Sequence, residues 1–235
     1  MTKNNYKNDT KNIIAGKRKK LSNGFVNSPV YKGSTVLFNT VEEMQSKMKN
    51  KNSQTLFYGR FGSPATFEFE NAIADIDESY TAVATASGTA AIVASLLAVL
   101  KTGDHILMTD SAYGVSRNIT KKLLNNMGIT TTFYNPNLTN KIKELITNKT
   151  KLIFMESPGS LTFEIQNISM IVDIAKKYNL ITVIDNTWAT SLYLKPMNYG
   201  VDISIQSATK YIVGHSDAML GVITTNKKYA KQIRE

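Results

Sequence analysis

The sequence predicts an α/β fold with a mostly parallel, mixed sheet flanked by helices. From residue 80 onward, short runs rich in β-branched residues alternate with longer helical patterns, which is typical of a predominantly parallel sheet covered by helices. The chain has 235 residues, of which 42% are hydrophobic and 20% are charged. It is therefore long enough to bury a core, and its composition indicates neither disorder nor a fibrous protein.

The predicted elements follow the chain in order. Residues 1–59 lack the alternation and carry Gly, Pro, Ser and Asn breaks, so they predict an extended N-terminal arm with one helix near residues 41–48. Residues 60–235 are expected to form one large domain. Its strands are predicted at residues 81–85, 105–109, 129–134, 151–156, 180–184, 201–206 and 219–224. Its helices are predicted at residues 88–100, 115–127, 138–147 and 168–178.

Composition excludes several classes of function. The chain has no cysteine and two histidines, which argues against disulfide scaffolds, thiol nucleophiles and zinc sites. The N-terminus lacks the apolar segment of a secretory signal, and the longest apolar run, residues 90–100, is shorter than the roughly 20 residues that cross a bilayer. We therefore expect a cytoplasmic protein without a membrane partner.

The net charge of +10 is concentrated at the start of the chain. Residues 1–20 hold seven Lys or Arg residues and one Asp, so +6 of the charge lies there and +4 is spread over the remainder. A nucleic-acid footprint needs basic residues clustered on a folded surface with recognition elements nearby. We therefore expect no nucleic-acid partner.

Polar residues follow several predicted strands, where ligands of open α/β sheets bind. Lys210 follows Ser207 and Thr209 at one strand end, and Asp185 ends another strand after an apolar run. Pyridoxal phosphate needs an amine to bond to its aldehyde, a carboxylate to keep its ring nitrogen protonated, and donors for its phosphate. These residue types together predict a pyridoxal phosphate site, although a lone lysine is usually solvated and a lone Asp often caps a turn.

Further residues can complete such a site. Gly88 and Thr89 open a helix, whose free N–H groups and positive dipole suit a phosphate, although plain capping by Ser87 explains the same pattern. Tyr113 lies in a loop where its ring can stack on the pyridine face. Tyr58 and Arg60 supply a phenol and a guanidinium for a phosphate, or they are ordinary surface residues.

Two competing chemistries fit the sequence less well. Residues 214–218 resemble a nucleophile elbow, but the last position is Ala218 and the downstream histidine of a hydrolase triad is missing. No G-x-G-x-x-G pattern follows a strand, which argues against a dinucleotide site.

The chain resembles the pyridoxal phosphate enzymes of cysteine and methionine metabolism. The resemblance covers about residues 30–221 and is carried by FYGRFGSPA (57–65), ASGTAAI (86–92), ESPGSLTFEI (156–165), IDNTWAT (184–190) and SATKYIVGHSDAMLG (207–221). It implies that residues 60–235 are a pyridoxal phosphate-binding large domain of the fold type I, transferase-like class.

The resemblance also implies a role for each candidate. Lys210 matches the Schiff-base lysine and proton shuttle, Asp185 the partner of the ring nitrogen, and Tyr113 the stacking tyrosine that also meets the substrate amine. The matching phosphate ligands are the backbone of Gly88 and Thr89 and the hydroxyls of Ser207 and Thr209. Tyr58 and Arg60 match a pair that reaches the cofactor of an adjoining subunit, which implies a homo-oligomer, usually a dimer of dimers.

Segments 156–165 and 215–221 are most similar to the cystathionine β-lyase branch of that family. This similarity implies cleavage of cystathionine to homocysteine, pyruvate and ammonia, a step of methionine biosynthesis. Cystathionine γ-synthases, cystathionine γ-lyases and methionine γ-lyases share the same constellation and remain alternatives.

The resemblance further implies a continuation after Glu235. Members of the family run on for well over a hundred residues, with a smaller C-terminal domain whose arginine binds the substrate carboxylate. This sequence has no counterpart of that arginine, since Arg234 lies in a different context. We therefore expect a C-terminally truncated chain that is a poor catalyst alone, or a remnant that only binds the cofactor or a partner.

Overall fold

A mixed sheet of 7 strands forms the centre of the structure, a computed structural model that describes residues 6–17, 24–50, 53–138 and 140–235. The strands are β1 (Thr81–Thr85), β2 (His105–Thr109), β3 (Thr130–Tyr134), β4 (Thr150–Glu156), β5 (Ile181–Asp185), β6 (Ile203–Gln206) and β7 (Gly221–Thr225). Their spatial order is β1-β7-β6-β5-β4-β2-β3. Each predicted strand is present, within a few residues of its predicted bounds.

Most neighbouring strands are parallel. Strand β2 pairs with β3 and β4, β4 pairs with β5, and β5 pairs with β6, all in parallel. Strand β7 lies between β1 and β6 and is antiparallel to both. Strands β1 and β6 therefore run in the same direction, and the carboxyl ends of β1, β2, β4, β5 and β6 meet at one edge of the sheet.

Eight α-helices occur in the described ranges. They are α1 (Asn8–Ile14), α2 (Val41–Lys49), α3 (Pro64–Asp77), α4 (Gly88–Val99), α5 (Gly114–Ile119), α6 (Ile168–Lys177), α7 (Thr190–Tyr193) and α8 (Ala230–Arg234). The prediction did not include α3, although Ser63 and Pro64 are typical of a helix start. The Ser63 side chain accepts the Thr66 N–H, and proline is favoured in the first turn of a helix. None of the helices in these ranges is long and apolar enough to cross a membrane.

Two predicted helices differ from the structure. The segment 115–127 begins as α5 and continues as a π-helical turn, Thr120–Leu124, where the Thr120 hydroxyl donates to the Arg117 carbonyl oxygen at 2.9 Å. The segment 138–147 contains a 3₁₀ helix, Asn140–Leu145, and Thr139 lies outside the described residues. The Asn137 N–H donates to the Asn135 side chain just before this segment, and the Thr150 hydroxyl accepts the Thr147 N–H at its end.

The N-terminal arm holds two helices in its described part: α2 lies where the one helix near residues 41–48 is predicted, and α1 precedes it. Helix α1 contacts α3, and residues 24–40 between the two arm helices are extended and largely exposed. Phe25, Val30 and Leu37 are 79%, 82% and 91% exposed. The boundary at residue 59 stays a prediction, because Gly59 lies in a 3₁₀ turn, Gly59–Phe61, whose first N–H binds the Ser34 carbonyl oxygen at 2.7 Å.

Helices cover both faces of the sheet. Successive residues of a strand point to opposite faces, so each strand contributes side chains to a core on either side. Ile106 and Met108 of β2 belong to the cluster that contains Leu96 of α4, whereas Leu107 belongs to the cluster that contains Ile171 of α6. All five side chains are fully or almost fully buried. This double cover explains why the strands are apolar runs rather than alternating ones.

A buried hydrogen-bond network joins α3 to the sheet. Asp77, the last residue of α3, is 0% exposed. Its Oδ1 accepts from the Ser191 hydroxyl at 2.6 Å, and its Oδ2 accepts from the Thr224 hydroxyl. Ser191 Oγ in turn accepts from the Gln206 side-chain amide at 2.7 Å. Burial outweighs these hydrogen bonds and raises the pKa of Asp77 to about 6.

The raised pKa of Asp77 predicts a stability that depends on pH. The unfolded carboxyl ionises near its ordinary value of 3.8, whereas the folded one ionises near 6. The folded state therefore binds more protons between these values, and the free energy of unfolding falls by up to about 3 kcal/mol as pH rises from 4 to 6. Asp77→Asn is expected to remove this fall, as measured by urea unfolding at several pH values.

The matched control is Asp173→Asn, which changes an exposed carboxylate on α6. It is expected to unfold with the same pH dependence as the unmodified chain. If Asp77→Asn also shows an unchanged slope between pH 4 and 6, Asp77 is not the group that titrates.

Candidate active site

A cavity of about 670 Å³ opens at the carboxyl edge of the sheet. Seven of the nine predicted site residues line it, namely Gly88, Thr89, Tyr113, Asp185, Ser207, Thr209 and Lys210. They come from the ends of β1, β2, β5 and β6, which the parallel arrangement brings together. Tyr58 and Arg60 are not part of the lining.

The first turn of α4 forms one end of the cavity. Ser87 is the N-cap: its hydroxyl accepts the Ala90 N–H at 3.1 Å, and its carbonyl oxygen accepts the Ala91 N–H at 3.0 Å. The N–H groups of Gly88 and Thr89 remain as the donors of this turn. Capping by Ser87 and anion binding by the next two residues are therefore compatible, and the helix dipole favours a negative group here.

Two glycines let this turn approach its neighbours closely. A Cβ atom on Gly88 would lie 2.6 Å from Ser207 Oγ, and a Cβ atom on Gly221 would lie 2.1 Å from the Ser87 carbonyl oxygen. Neither position can hold a larger residue without a backbone shift. The hydroxyl of Ser207 is thus held beside the helix terminus, where both can meet one phosphate.

Thr209 is less free to bind a phosphate. Its hydroxyl donates to the Leu220 carbonyl oxygen at 3.0 Å and accepts the Leu220 N–H at 2.9 Å. These bonds hold the loop 210–220 to the start of β7. Because a hydroxyl has one hydrogen, Thr209 must give up the bond to Leu220 before it can donate to a phosphate.

Asp185 lies at the far end of the site and is 7% exposed. Its Oδ1 accepts from the Thr187 N–H at 3.0 Å and from the Thr187 hydroxyl at 2.6 Å. Burial raises the pKa of Asp185, and the two bonds from Thr187 oppose that rise. The carboxylate is thereby held in place, and Oδ2 is left to accept from a ring N–H.

Lys210 is exposed and lies in a turn that begins at β6. Its N–H donates to the Ser207 carbonyl oxygen at 3.0 Å, and its carbonyl oxygen accepts the Gly214 N–H at 2.7 Å. None of the ion pairs among the described residues involves Lys210. Its amine is therefore available to react in the cavity.

Sequence reasoning missed two polar residues of this cavity. Glu156 ends β4 as Asp185 ends β5, and its Oε2 accepts the Tyr113 N–H at 2.7 Å. Thr187 links two candidates, because its hydroxyl donates to Asp185 and accepts the Ser207 N–H at 2.8 Å. An acid at a strand end was a readable signal for Glu156, whereas the role of Thr187 depends on how two loops meet.

An aromatic cluster lies at the mouth of the cavity and was also missed. The Trp188 ring lies 5.2 Å from that of Phe163 and 5.9 Å from that of Tyr211, centroid to centroid. All three residues line the cavity and are about half exposed. The aromatic part of the lining is therefore half exposed, whereas the carboxyl groups of Glu156 and Asp185 are buried.

Tyr58 and Arg60 lie outside this cavity, on either side of the predicted boundary at residue 59. Tyr58 is 39% exposed, and the Arg60 guanidinium stacks on the Phe61 ring at 4.3 Å. Within one chain, neither residue reaches the other candidates. Their predicted contact with the cofactor of another subunit stays a prediction.

The residues of the cavity fit pyridoxal phosphate. The α4 terminus and Ser207 suit its phosphate, Oδ2 of Asp185 suits a protonated ring nitrogen, Tyr113 offers a ring face, and Lys210 offers an amine. A metal centre is not indicated, since no group of three or more His, Asp or Glu residues that could hold an ion occurs within the described ranges.

Comparison with known proteins identifies the family. The model of the Cys/Met metabolism PLP-dependent enzymes matches residues 9–235. Cystathionine beta-lyase MetC of Escherichia coli K12 is 38% identical over 97% of this chain and 58% of its own length. L-alanine/L-glutamate racemase of Wolbachia pipientis wMel is 36% identical over 95% of this chain and 57% of its own length.

A solved structure supports the same assignment. The metY protein of Campylobacter jejuni, whose structure contains N'-pyridoxyl-lysine-5'-monophosphate, superposes with a TM-score of 0.87 at 25% identity and covers 96% of this chain and 55% of its own. The chain thus spans between half and two thirds of the length of these proteins. It has the fold of the pyridoxal phosphate-dependent transferase class, and it belongs to the Cys/Met metabolism PLP-dependent enzyme family.

Proposed function

We propose that the chain is the cofactor-binding part of a carbon–sulfur lyase that cleaves L-cystathionine by β-elimination. The reaction consumes water and yields homocysteine, pyruvate and ammonia. The observation that carries the proposal is the meeting of Lys210, Asp185 and the α4 terminus in one cavity. The cytoplasm is the proposed location, in keeping with a chain that contains no cysteine.

Each residue has a separate task in this proposal. The N–H groups of Gly88 and Thr89 and the hydroxyl of Ser207 hold the phosphate, and Tyr113 stacks on the ring. Asp185 keeps the ring nitrogen protonated. Once bound, pyridoxal phosphate supplies an electron sink for the negative charge that develops at the substrate Cα. Lys210 would hold the cofactor through its amine, and the same amine, once the substrate amine has displaced it, would take the proton from Cα.

The choice of reaction rests on the relatives. The Escherichia coli relative named cystathionine beta-lyase shares 38% identity with nearly the whole chain. The Wolbachia relative named as a racemase supports a second candidate function, since racemisation begins with the same removal of the Cα proton. Elimination at Cγ is a third outcome, because it uses the same lysine and cofactor.

The products distinguish these reactions. The chain, supplied with pyridoxal phosphate and L-cystathionine, is expected to release pyruvate and a thiol at a low rate, in keeping with a chain that is a poor catalyst alone. The keto acid is identified by chromatography of its phenylhydrazone, and the thiol is measured with a thiol reagent. Release of 2-oxobutyrate in place of pyruvate would identify γ-elimination. Conversion of L-alanine to its D-enantiomer without a keto acid would identify a racemase, and both results contradict the proposal.

We further propose that the functional assembly is a homo-oligomer, built as a dimer of dimers, in which Tyr58 and Arg60 serve the cavity of an adjoining copy. The support is their position: both lie outside their own cavity and next to the arm whose apolar side chains are exposed. An apolar arm of this kind is stabilised when a second chain covers it.

Lys210→Ala is expected to abolish covalent attachment of the cofactor. Incubation with pyridoxal phosphate, reduction with borohydride and peptide mapping should place the label on Lys210 in the unmodified chain. The visible absorbance of the bound cofactor should be lost in the variant, because Lys210 carries the only side-chain amine among the described residues that line the cavity. Lys227→Ala, which changes an exposed lysine, should label normally. Equal labelling of many surface lysines would contradict the assignment.

Arg60→Ala is expected to weaken cofactor binding by about 1.5–3 kcal/mol, the range for a hydrogen bond to a charged group, or about 10- to 150-fold in Kd. Arg60→Lys keeps the charge and should lose less. Binding is measured by absorbance titration, and assembly by sedimentation velocity. A strictly monomeric chain that binds the cofactor equally well with and without Arg60 would refute the role across the subunit boundary.

A further inference from the structure

Glu156 is a buried carboxyl group of the cavity that the proposed reaction does not use. It is 8% exposed, it ends β4, and its register partner in β5 is Asp185. Two acids therefore lie side by side at the floor of one cavity. The reaction requires a carboxylate at Asp185, whereas nothing in it requires a second one.

The contacts of Glu156 lead to Tyr113. Glu156 Oε2 accepts the Tyr113 backbone N–H at 2.7 Å, a short hydrogen bond that joins the end of β4 to the loop after β2. The same two loops also touch at Ser160, whose N–H donates to the Ser111 carbonyl oxygen at 2.8 Å. Tyr113 is the N-cap residue of α5, and its ring is 48% exposed at the cavity.

Within its own segment, Tyr113 is held by one backbone bond, in which its carbonyl oxygen accepts the Arg117 N–H at 3.1 Å. No side-chain hydrogen bond caps α5 at this residue, and α5 is a helix of 6 residues that passes into a π-helical turn. Because the Tyr113 ring is half exposed, few side-chain contacts fix it, and its position depends on how the Tyr113 backbone is held. The bond to Glu156 therefore ties the Tyr113 backbone to the end of β4.

Glu156 could act on Tyr113 through an acceptor oxygen or on the cavity through a negative charge, and its surroundings bear on this choice. Burial raises the pKa of Glu156, and the negative charge of Asp185 raises it further. The groups that face the Glu156 carboxyl are Asp185 on β5, Arg117 on α5, the Tyr113 N–H and the Ser160 side chain. Lys210 lines the same cavity. Asp185 is held by two bonds from Thr187, whereas Glu156 is held by the Tyr113 N–H and the Ser160 side chain.

We propose that Glu156 is a positioning residue for the cofactor, which sets the height of the Tyr113 ring over the bound pyridine by accepting the Tyr113 N–H. It acts through an acceptor oxygen rather than through a negative charge. This inference rests on the proposed cofactor site, and it is independent of which reaction that site catalyses.

Two variants of similar size separate the acceptor from the charge. Glu156→Gln keeps an acceptor oxygen and removes the charge, whereas Glu156→Met keeps the length and removes the acceptor. Titration of the full chain with pyridoxal phosphate is followed by visible absorbance and by the circular dichroism that the bound cofactor acquires. Glu156→Met is expected to raise the Kd by about 5- to 30-fold and to change the circular dichroism, while Glu156→Gln stays near the unmodified chain.

A double-mutant cycle tests whether Glu156 acts through Tyr113. If it does, Glu156→Met should cost little more affinity in a chain that already carries Tyr113→Ala. Full additivity of the two losses would show that Glu156 acts elsewhere. Thermal unfolding of each variant without cofactor checks the fold, and Glu156→Ala replaces Glu156→Met if the latter does not fold.

Each outcome decides the inference. Normal affinity and circular dichroism in Glu156→Met would overturn it, and so would a Glu156→Gln variant as weak as Glu156→Met, since the charge would then be the required property. Failure of the lyase proposal is recognised separately: the unmodified chain would bind the cofactor and release no pyruvate, while the order of the three affinities would stand.

Discussion

The structure depends on how strand β7 enters the sheet. It lies between β1 and β6 and runs antiparallel to both, which brings the start of α4 beside the end of β6. The contact is so close that neither Gly88 nor Gly221 can carry a side chain without a backbone shift. The candidate phosphate site combines the start of α4 with the residues that follow β6, which are far apart in the chain. Direct contact between their backbones holds these parts together without a ligand.

The two ends of the cavity are connected by one hydroxyl group. Thr187 donates to the Asp185 carboxylate and accepts the N–H of Ser207, so the acid for the ring and the loop for the phosphate share a link. Gln206, next to that loop, is tied through Ser191 to Asp77 on the other side of the domain. The spacing of the site is therefore set by the protein, which reduces the ordering that a ligand must impose.

Much of this arrangement could be predicted from the sequence. Lys210, Asp185 and Gly88 follow apolar strands, and the alternation of strands and helices brings such ends to one edge. The antiparallel insertion of β7 could not be predicted, since its sequence resembles that of the parallel strands. The position of Glu156 beside Asp185 becomes evident only from the register of β4 against β5. The contact of Thr187 with Ser207 becomes evident only from the path of the loop after β5. Thr209 lines the cavity, but its hydroxyl is already bonded to Leu220, which its place at a strand end does not reveal, and its role as a phosphate ligand stays a prediction.

The aromatic mouth of the cavity has a practical consequence. Trp188 is the single tryptophan of the chain, and it stands at the rim between Phe163 and Tyr211. All indole emission from this protein therefore arises within contact distance of the ligand cavity. A chromophore bound in the cavity quenches that emission by energy transfer. The intrinsic fluorescence of the chain therefore measures the occupancy of this one site without an attached label.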